Sequence, residues 1–135
     1  MDLYAENILD HSKHPRHKGE LADATVQHEE KNLSCGDSVN VMLRINNGGI
    51  EEVSWTGSGC AISQAAMSML SETLEGMKLS EAEKLQLDDI KTMLGVPIGT
   101  RRLKCALLCL HALKNDLHVL RNEPEQTWAE TVGNE

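Results

Sequence analysis

The hydrophobic pattern of the chain predicts one helix followed by three strands in its first half. Apolar residues at helical spacing indicate an amphipathic helix at about residues 3–13. A weaker strand pattern covers residues 24–29, and residues 39–45 alternate as a half-buried strand does. Residues 46–49, Asn-Asn-Gly-Gly, tolerate a positive φ and predict a hairpin turn before a return strand at 50–55. The apolar side of the first helix comprises Leu3, Tyr4, Ile8 and Leu9.

The second half of the chain predicts helices. The glycine-rich stretch 57–60 ends the sheet, and the apolar spacing changes to the helical period over residues 61–75. A capping pattern at Ser80 predicts a short helix, and a long amphipathic helix is expected from about 101 to 120. This order predicts an α+β fold, in which helices cover one face of a three-stranded antiparallel sheet. Three polar residues of the last helix are expected to face outward or toward a site: Lys104, Lys114 and Asp116.

Length and composition predict one folded domain. The chain has 135 residues, of which 40% are hydrophobic and 25% charged, and this is too short for two separate cores. We expect a single domain over residues 1–122 and a polar, acidic C-terminal tail over residues 123–135.

The formal net charge of −8 and the scarcity of aromatic residues exclude some classes of partner. An acidic chain repels a phosphate backbone, and 2% aromatic residues offer few platforms for stacked bases, so nucleic acid is not expected. Since the sequence has no long apolar run and no positively charged leader, we expect no membrane segment and a cytoplasmic location. The glutamate pairs at 29–30 and 51–52 are expected on the solvent face of the sheet.

Three of the four cysteines lie at the ends of predicted elements. Cys35 precedes the alternating strand, Cys60 lies between a strand and a helix, and Cys105 lies in the first turns of the long helix. Ligands and nucleophiles are common at such positions, and with Asp37 these thiols would make a four-coordinate shell for zinc or a small iron-sulfur cluster. The spacing alone leaves open the alternative of three unrelated buried thiols.

The fourth cysteine and the N-terminal histidines are interpreted as structural residues. Cys109 lies one helical turn after Cys105 among leucines, which favours a core thiol over a functional one. His11, His14 and His17 are expected on the surface, because a proline breaks the helix that would align them for a metal ion.

Five short stretches of the chain follow one another in a specific order. They are Ile8-Leu9-Asp10-His11 with Pro15-Arg16 and Gly19, Ser34-Cys35-Gly36-Asp37, Trp55-Thr56-Gly57-Ser58-Gly59-Cys60-Ala61-Ile62-Ser63, Leu74-Glu75-Gly76, and Arg101-Arg102-Leu103-Lys104-Cys105-Ala106. Together they resemble the U-type iron-sulfur cluster assembly family, which includes IscU and SufU. The resemblance extends from about residue 3 to residue 115.

The resemblance implies a SufE/NifU-like fold, with helices packed on a three-stranded antiparallel sheet. It also implies one exposed site built from Cys35, Asp37, Cys60 and Cys105. Members of this family receive sulfur from a pyridoxal-phosphate-dependent cysteine desulfurase and supply iron-sulfur apoproteins or carrier proteins. Some assemble a [2Fe-2S] cluster on the cysteines, whereas others hold Zn²⁺ at the same site and act as a sulfur acceptor and carrier.

Two features bear on the branch that the chain resembles. In the scaffold branch a histidine usually precedes the third cysteine, whereas Lys104 occupies that position in this chain. Because a protonated ammonium has no lone pair to donate, Lys104 is a poor metal ligand. Arg102 also resembles SufU, where an arginine lies near the metal, and both cations are expected to support the site. The interval from Cys60 to Cys105 lacks the insertion that is usual in SufU, so both branches stay open.

The expected function is zinc-dependent acceptance of persulfide sulfur at a site of three cysteines and one aspartate. Cys35 is the expected acceptor, because Gly36 gives it a flexible backbone, and Cys105 is the alternative. Two other functions compete with this one: a [2Fe-2S] assembly scaffold at the same site, and a non-catalytic adaptor stabilised by zinc. Whether the protein is an enzyme depends on this choice, since a sulfurtransferase turns over and a scaffold does not.

Overall fold

The computed structural model describes residues 3–132, which form a three-stranded antiparallel sheet with helices packed on it. The predicted α+β fold is confirmed. The strands are β1 (Val26–Asn32), β2 (Asp37–Asn46) and β3 (Gly49–Ser58), and they lie in this order in the sheet. The helices are α1 (Leu3–Lys13), α2 (Ala61–Leu74), α3 (Leu79–Ala82), α4 (Leu87–Leu94), α5 (Leu103–Leu120) and α6 (Trp128–Val132), with a 3₁₀ turn at Thr100–Arg102.

The register of the sheet brings three parts of the chain to one end. Asn32 pairs with Asp37, so residues 33–36 form a tight loop between paired strand ends. Ser38 pairs with Ser58 on β3, which places the start of α2 beside the same end of β2. The β1–β2 loop, the first residue of β2 and the start of α2 therefore meet.

The core lies between the sheet and two long helices. α5 packs on β1 and β2, and α2 packs on β3, α1 and α5. Val41, Trp55 and Leu107 are fully buried there, and aliphatic side chains and methionines fill a core that has no Phe. Within residues 3–132, none of the helices combines the length and apolar character that a membrane span requires.

Two short helices stand where one was expected. The capping pattern at Ser80 falls inside α3, and α4 begins separately. Gln86 and Asp89 form a capping box at the start of α4, with the Gln86 backbone N–H donating to Asp89 Oδ2 at 2.7 Å. This second cap starts a separate helix after α3 has ended at Ala82.

α1 buries a different side from the one predicted. Ile8 is buried, but Leu3, Tyr4 and Leu9 are exposed, so the predicted apolar side is wrong for these three. The reason is that α1 contacts α2 through the side that carries Ile8 and His11.

His11 is buried, so the expectation that it lies on the surface is wrong. Its Nδ1 lies 2.7 Å from Ser68 Oγ on α2, and burial lowers the pKa of the imidazole. Ser68 Oγ also accepts a hydrogen bond from the backbone N–H of Arg16 at 2.8 Å. Ser68 thus joins α1, the following loop and α2. His14 is exposed, as expected, and His17 is half-buried.

Residues 126–131 of the C-terminal segment pack on α5. The Gln126 backbone N–H donates to Asn115 Oδ1 at 2.7 Å, and Trp128 stacks on His111 with ring centroids 4.1 Å apart. Thr131 is buried, with its Oγ1 2.6 Å from His111 Nδ1. The polar composition of this segment predicts an unattached tail, but two of its side chains, Trp128 and Thr131, contact α5.

Two acidic residues lie in places that the sequence does not predict. Asp116 is fully buried, and neither carboxylate oxygen has a hydrogen-bond partner within the described residues. The prediction that it faces outward or toward a site is wrong because α5 is covered around most of its circumference. Glu30 is also not solvent-facing. It lies on the helix-covered side of β1 and accepts a hydrogen bond from Asn115 Nδ2 at 2.8 Å, while Glu29 is exposed.

Burial raises the pKa of Asp116 well above its ordinary value, so the free energy of unfolding depends on pH. The folded state keeps the carboxyl proton after the unfolded chain has lost it. The resulting stabilisation is complete below about pH 4 and declines as pH rises toward the folded-state pKa, by about 1.4 kcal/mol per pH unit. Asp116→Asn removes this titration. We expect the variant to gain stability relative to the parent between about pH 5 and about pH 7 in urea unfolding.

Asp23→Asn is the matched control, because Asp23 is exposed in a turn. Its stability relative to the parent should not change over the same pH interval. If the parent and Asp116→Asn show equal dependence of unfolding free energy on pH, the buried carboxyl does not titrate as proposed.

Candidate metal centre

Three of the four predicted ligands meet in one groove at the end of the sheet. One donor atom from each of Cys35, Asp37 and Cys105 lies within 4.8 Å of the other two, and the two Sγ atoms are 3.1 Å apart. Cys60 lines the same groove, but its sulfur is not part of this compact group. The fold thus brings together two thiols and one carboxylate, with the third thiol beside them.

Asn32 holds the loop that carries Cys35. The Asn32 carbonyl accepts hydrogen bonds from the backbone N–H groups of Cys35 at 3.2 Å and Gly36 at 2.8 Å. Gly36 has a φ of +75°, in the left-handed region that favours glycine, so the chain turns sharply here. The Asn32 Nδ2 lies 3.8 Å from Cys105 Sγ. This loop leaves Cys35 exposed, whereas Cys105 is buried.

Asp37 joins the parts of the site through a buried carboxylate. Its Oδ1 accepts a hydrogen bond from the backbone N–H of Cys60 at 3.2 Å. Its Oδ2 is buried and has no hydrogen-bond partner within residues 3–132. A buried carboxylate oxygen without a partner costs free energy, and a cation held with Cys35 and Cys105 would supply the missing interaction.

The surroundings of Cys105 also fit a cation. Burial raises the pKa of its thiol above the ordinary value, and Cys35, Asp37 and Cys60 raise it further. The protein alone therefore disfavours the Cys105 thiolate, whereas a metal ion would stabilise it. Thiolate and carboxylate donors suit Zn²⁺ or an iron-sulfur cluster, so the residues present fit either group.

The rim of the groove carries positive charge. Arg101 and Arg102 line it beside Cys35, with Arg102 at the position where a supporting cation was predicted. Lys104 does not line this groove, and its Nζ lies over the Trp128 ring, 5.6 Å from the centroid. Its position agrees with the argument that a lysine here is not a ligand.

Cys109 lies in the core, away from the groove. It is buried, and its Sγ donates to the Ala106 carbonyl oxygen at 3.5 Å. Burial raises the pKa of this thiol to about 12, which leaves it protonated and unreactive at neutral pH. The prediction of a core thiol is confirmed.

Three residues of the site region are missing from the sequence-based prediction: Asn32, Arg101 and Trp128. The signal for Asn32 is an asparagine at a strand end just before a Cys-Gly pair, because asparagine favours turns. The signal for Trp128 is an aromatic residue in a polar segment of a chain with only 2% aromatic residues. Arg101 has no such signal, since exposed arginines are common.

Comparison with known protein families identifies the family of this chain. The NifU-like N terminal domain family matches residues 3–126. The chain belongs to this family. The match contains all four candidate ligands and ends before α6.

Similar proteins come from both branches of the U-type family. The iron-sulfur cluster assembly scaffold protein IscU of Thermotoga maritima is 33% identical over 131 residues, covering 85% of this chain and 92% of that protein. The zinc-dependent sulfurtransferase SufU of Bacillus subtilis is 31% identical over 129 residues, covering 83% and 87%. The resemblance to the U-type iron-sulfur cluster assembly family is confirmed.

Solved structures agree with the fold. FiSufU from Fervidobacterium islandicum AW-1 aligns with a TM-score of 0.74 at 29% identity, covering 83% of this chain and 94% of that one. The N-terminal part of a NifU-like protein from Brucella abortus aligns with a TM-score of 0.74 at 19% identity, covering 90% and 96%. The second likeness supports the fold alone.

Gly59 lies against the Asp37 carboxylate, so a side chain at this position is expected to disturb the site. A Cβ added at Gly59 would lie 2.6 Å from Asp37 Oδ1 and 3.0 Å from Ser63 Oγ. Gly59→Ala should displace the carboxylate and weaken zinc binding by about tenfold or more, measured by competition with a chromophoric chelator.

Gly99→Ala is the matched control, because a Cβ there meets no atom within 4 Å and the φ of −74° suits alanine. Thermal midpoints of the metal-free proteins are compared, so that a loss of folding is not taken for a loss of affinity. If Gly59→Ala binds zinc as tightly as the parent, the position of the Asp37 carboxylate does not control metal binding.

Proposed function

We propose that this protein is a zinc-dependent sulfur acceptor and carrier in iron-sulfur cluster assembly. The single observation that carries the proposal is the pairing of an exposed thiol, Cys35, with a buried thiol, Cys105, at 3.1 Å beside the unpartnered oxygen of Asp37. Such a site offers one sulfur to an incoming reactant and keeps the other donors inside the protein. The identity of 31% to a zinc-dependent sulfurtransferase supports it.

The ligands proposed for zinc are Cys35, Asp37, Cys60 and Cys105. Zinc, when bound, would keep the coordinating thiols deprotonated at neutral pH. The protein contributes the carboxylate and orients it through the Cys60 backbone N–H. Lys104 does not compete as a ligand, because it lines a different part of the surface and carries no lone pair.

Cys35 is the proposed acceptor of sulfur. It is exposed, it lies in a turn that Gly36 makes possible, and it is flanked by the positive charge of Arg101 and Arg102. These cations favour the Cys35 thiolate that attacks the incoming persulfide. Cys105 is the second choice, because its thiol is buried while that of Cys35 is exposed.

The proposed partners are a cysteine desulfurase, which supplies the sulfur, and iron-sulfur apoproteins or carriers, which receive it. A group of free thiols suits a reducing compartment such as the cytoplasm, where we place the protein. The desulfurase would meet the groove at the exposed side of Cys35.

A [2Fe-2S] assembly scaffold is the second candidate function. Two observations favour it: the 33% identity to an IscU scaffold protein, and the interval between Cys60 and Cys105, which lacks the insertion usual in SufU. The same four ligands would then hold the cluster as cargo.

The proposal predicts persulfide on Cys35 after reaction with a desulfurase. The zinc-loaded protein is incubated with a cysteine desulfurase and L-cysteine, digested without reductant and analysed by mass spectrometry. We expect about one zinc per chain and one added sulfur on Cys35, because this thiol is exposed and activated. Cys35→Ser should lose the sulfur, while Cys109→Ala should keep both zinc and sulfur.

Other outcomes contradict the proposal in different ways. Sulfur found only on Cys60 would reject both Cys35 and Cys105 as acceptors. Anaerobic assembly of a cluster that transfers to an apoprotein, with no stable persulfide, would favour the scaffold. If zinc removal unfolds the protein and no sulfur is taken up, the site is that of a structural adaptor.

A further inference from the structure

A second groove lies beside Cys35, separate from the one that holds the candidate ligands. It is formed by the β1–β2 loop, the start of α5 and one side of α6. Its volume of about 520 Å³ lies within the range of about 300–1,000 Å³ that is typical of ligand pockets. Leu103, Trp128, Ala129 and Val132 give it an apolar wall.

α6 is a fixed wall of this groove. Trp128 contacts two side chains of α5, with the His111 ring stacked on it at a centroid distance of 4.1 Å and the Lys104 Nζ 5.6 Å from its ring centroid. Thr131 Oγ1 lies 2.6 Å from His111 Nδ1, and Gln126 Nε2 donates to the same Thr131 oxygen at 2.7 Å. Contacts at both ends of α6 thus hold the wall against α5.

Cys35 lies on the boundary between the two grooves. Among the described residues, it is the only cysteine that lines both, since Cys60 and Cys105 line the first groove alone. Arg101 also lines both. A molecule in the second groove would therefore reach the Cys35 sulfur without entering the space between the other ligands.

The second groove is positive in an acidic protein. Arg101 and Lys104 line it, and no acidic residue is among the residues that line it within the described part of the chain. The chain as a whole has a formal net charge of −8. A local positive groove of this kind attracts an anionic group and repels a cationic one.

We infer that this second groove receives the sulfur-donor protein, through an anionic segment that carries a cysteine persulfide, with Lys104 and Trp128 as recognition residues. The inference rests on the proposed function and adds the route of the donor and the charge of its segment. Lys104 would pair with the negative charge of the segment, while Trp128 would contact its apolar side chains.

The reaction at the end of this route is a balanced exchange of one sulfur atom. The Cys35 thiolate attacks the outer sulfur of the donor R–S–SH. A new S–S bond forms to Cys35 as the donor S–S bond breaks. The donor leaves as R–S⁻ with the electron pair, and the proton stays on the outer sulfur to give Cys35–S–SH. No oxidant or reductant is needed, and the departing thiolate lies in the positive groove.

The experiment compares two synthetic peptides of equal length, each with one cysteine persulfide flanked by either glutamates or lysines. The rate of Cys35 persulfidation is measured by mass spectrometry on the zinc-loaded parent and on Lys104→Gln. We expect the parent to react about tenfold faster with the glutamate peptide. In Lys104→Gln this preference should fall several-fold. Lys91→Gln is the matched control, since Lys91 is exposed on α4 and outside the groove.

Trp128→Ala tests the apolar wall. We expect a lower rate with the glutamate peptide at unchanged zinc content, because the wall is lost while the four ligands stay. A higher rate would show that α6 shields Cys35, and it would overturn the inference. An unchanged rate would also overturn the role given to Trp128.

The failure of this inference differs from the failure of the proposed function. If Cys35 takes sulfur from both peptides equally, and Lys104→Gln changes neither rate, the groove does not select the donor, yet the protein remains a sulfur acceptor. If Cys35 takes sulfur from neither peptide nor from a desulfurase, the proposed function itself fails.

Discussion

The candidate site depends on one buried carboxylate at the start of a strand. Asp37 accepts a hydrogen bond from the Cys60 backbone through one oxygen, its other oxygen has no hydrogen-bond partner among the described residues, and its carboxylate lies close to the sulfurs of Cys35 and Cys105. The first interaction ties the start of α2 to β2. The second oxygen is buried without a hydrogen-bond partner among the described residues, and a bound cation would satisfy it. If the site holds a metal ion as proposed, stability and metal binding would be coupled through this one side chain.

α5 connects this site to the rest of the molecule. Its first turns carry Lys104 and Cys105, and its middle carries His111 and Asn115, which hold the C-terminal segment. Since the helix is buried against the sheet and α2, these groups keep fixed positions relative to one another. The ligand groove and the neighbouring positive groove are thus both lined by residues at the start of this helix. Cys35, the one candidate ligand that lines both grooves, belongs to a loop between paired strand ends.

Local patterns predicted most of the fold and pointed to the candidate ligands, whereas long-range packing explains what was missed. The β2–β3 hairpin followed from alternation and from the turn at 46–49, which are properties of neighbouring residues. The candidate ligands were proposed because cysteines at element ends are unusual for core thiols and because the stretches around them resemble one family, and the fold brings three of the four together. The burial of His11 and Asp116 depends on the elements that pack against α1 and α5, and local sequence patterns do not predict such contacts. α6 was missed because two side chains, not its composition, attach it.

The family match ends at residue 126, two residues before α6 begins. A protein shortened at that boundary would retain every candidate ligand and lose Trp128, so His111 would have no stacking partner and one side of Cys35 would open to water. If zinc binds at this site as proposed, metal analysis alone would not reveal the loss of this wall, because the four candidate ligands lie within the family match and Trp128 lies outside it.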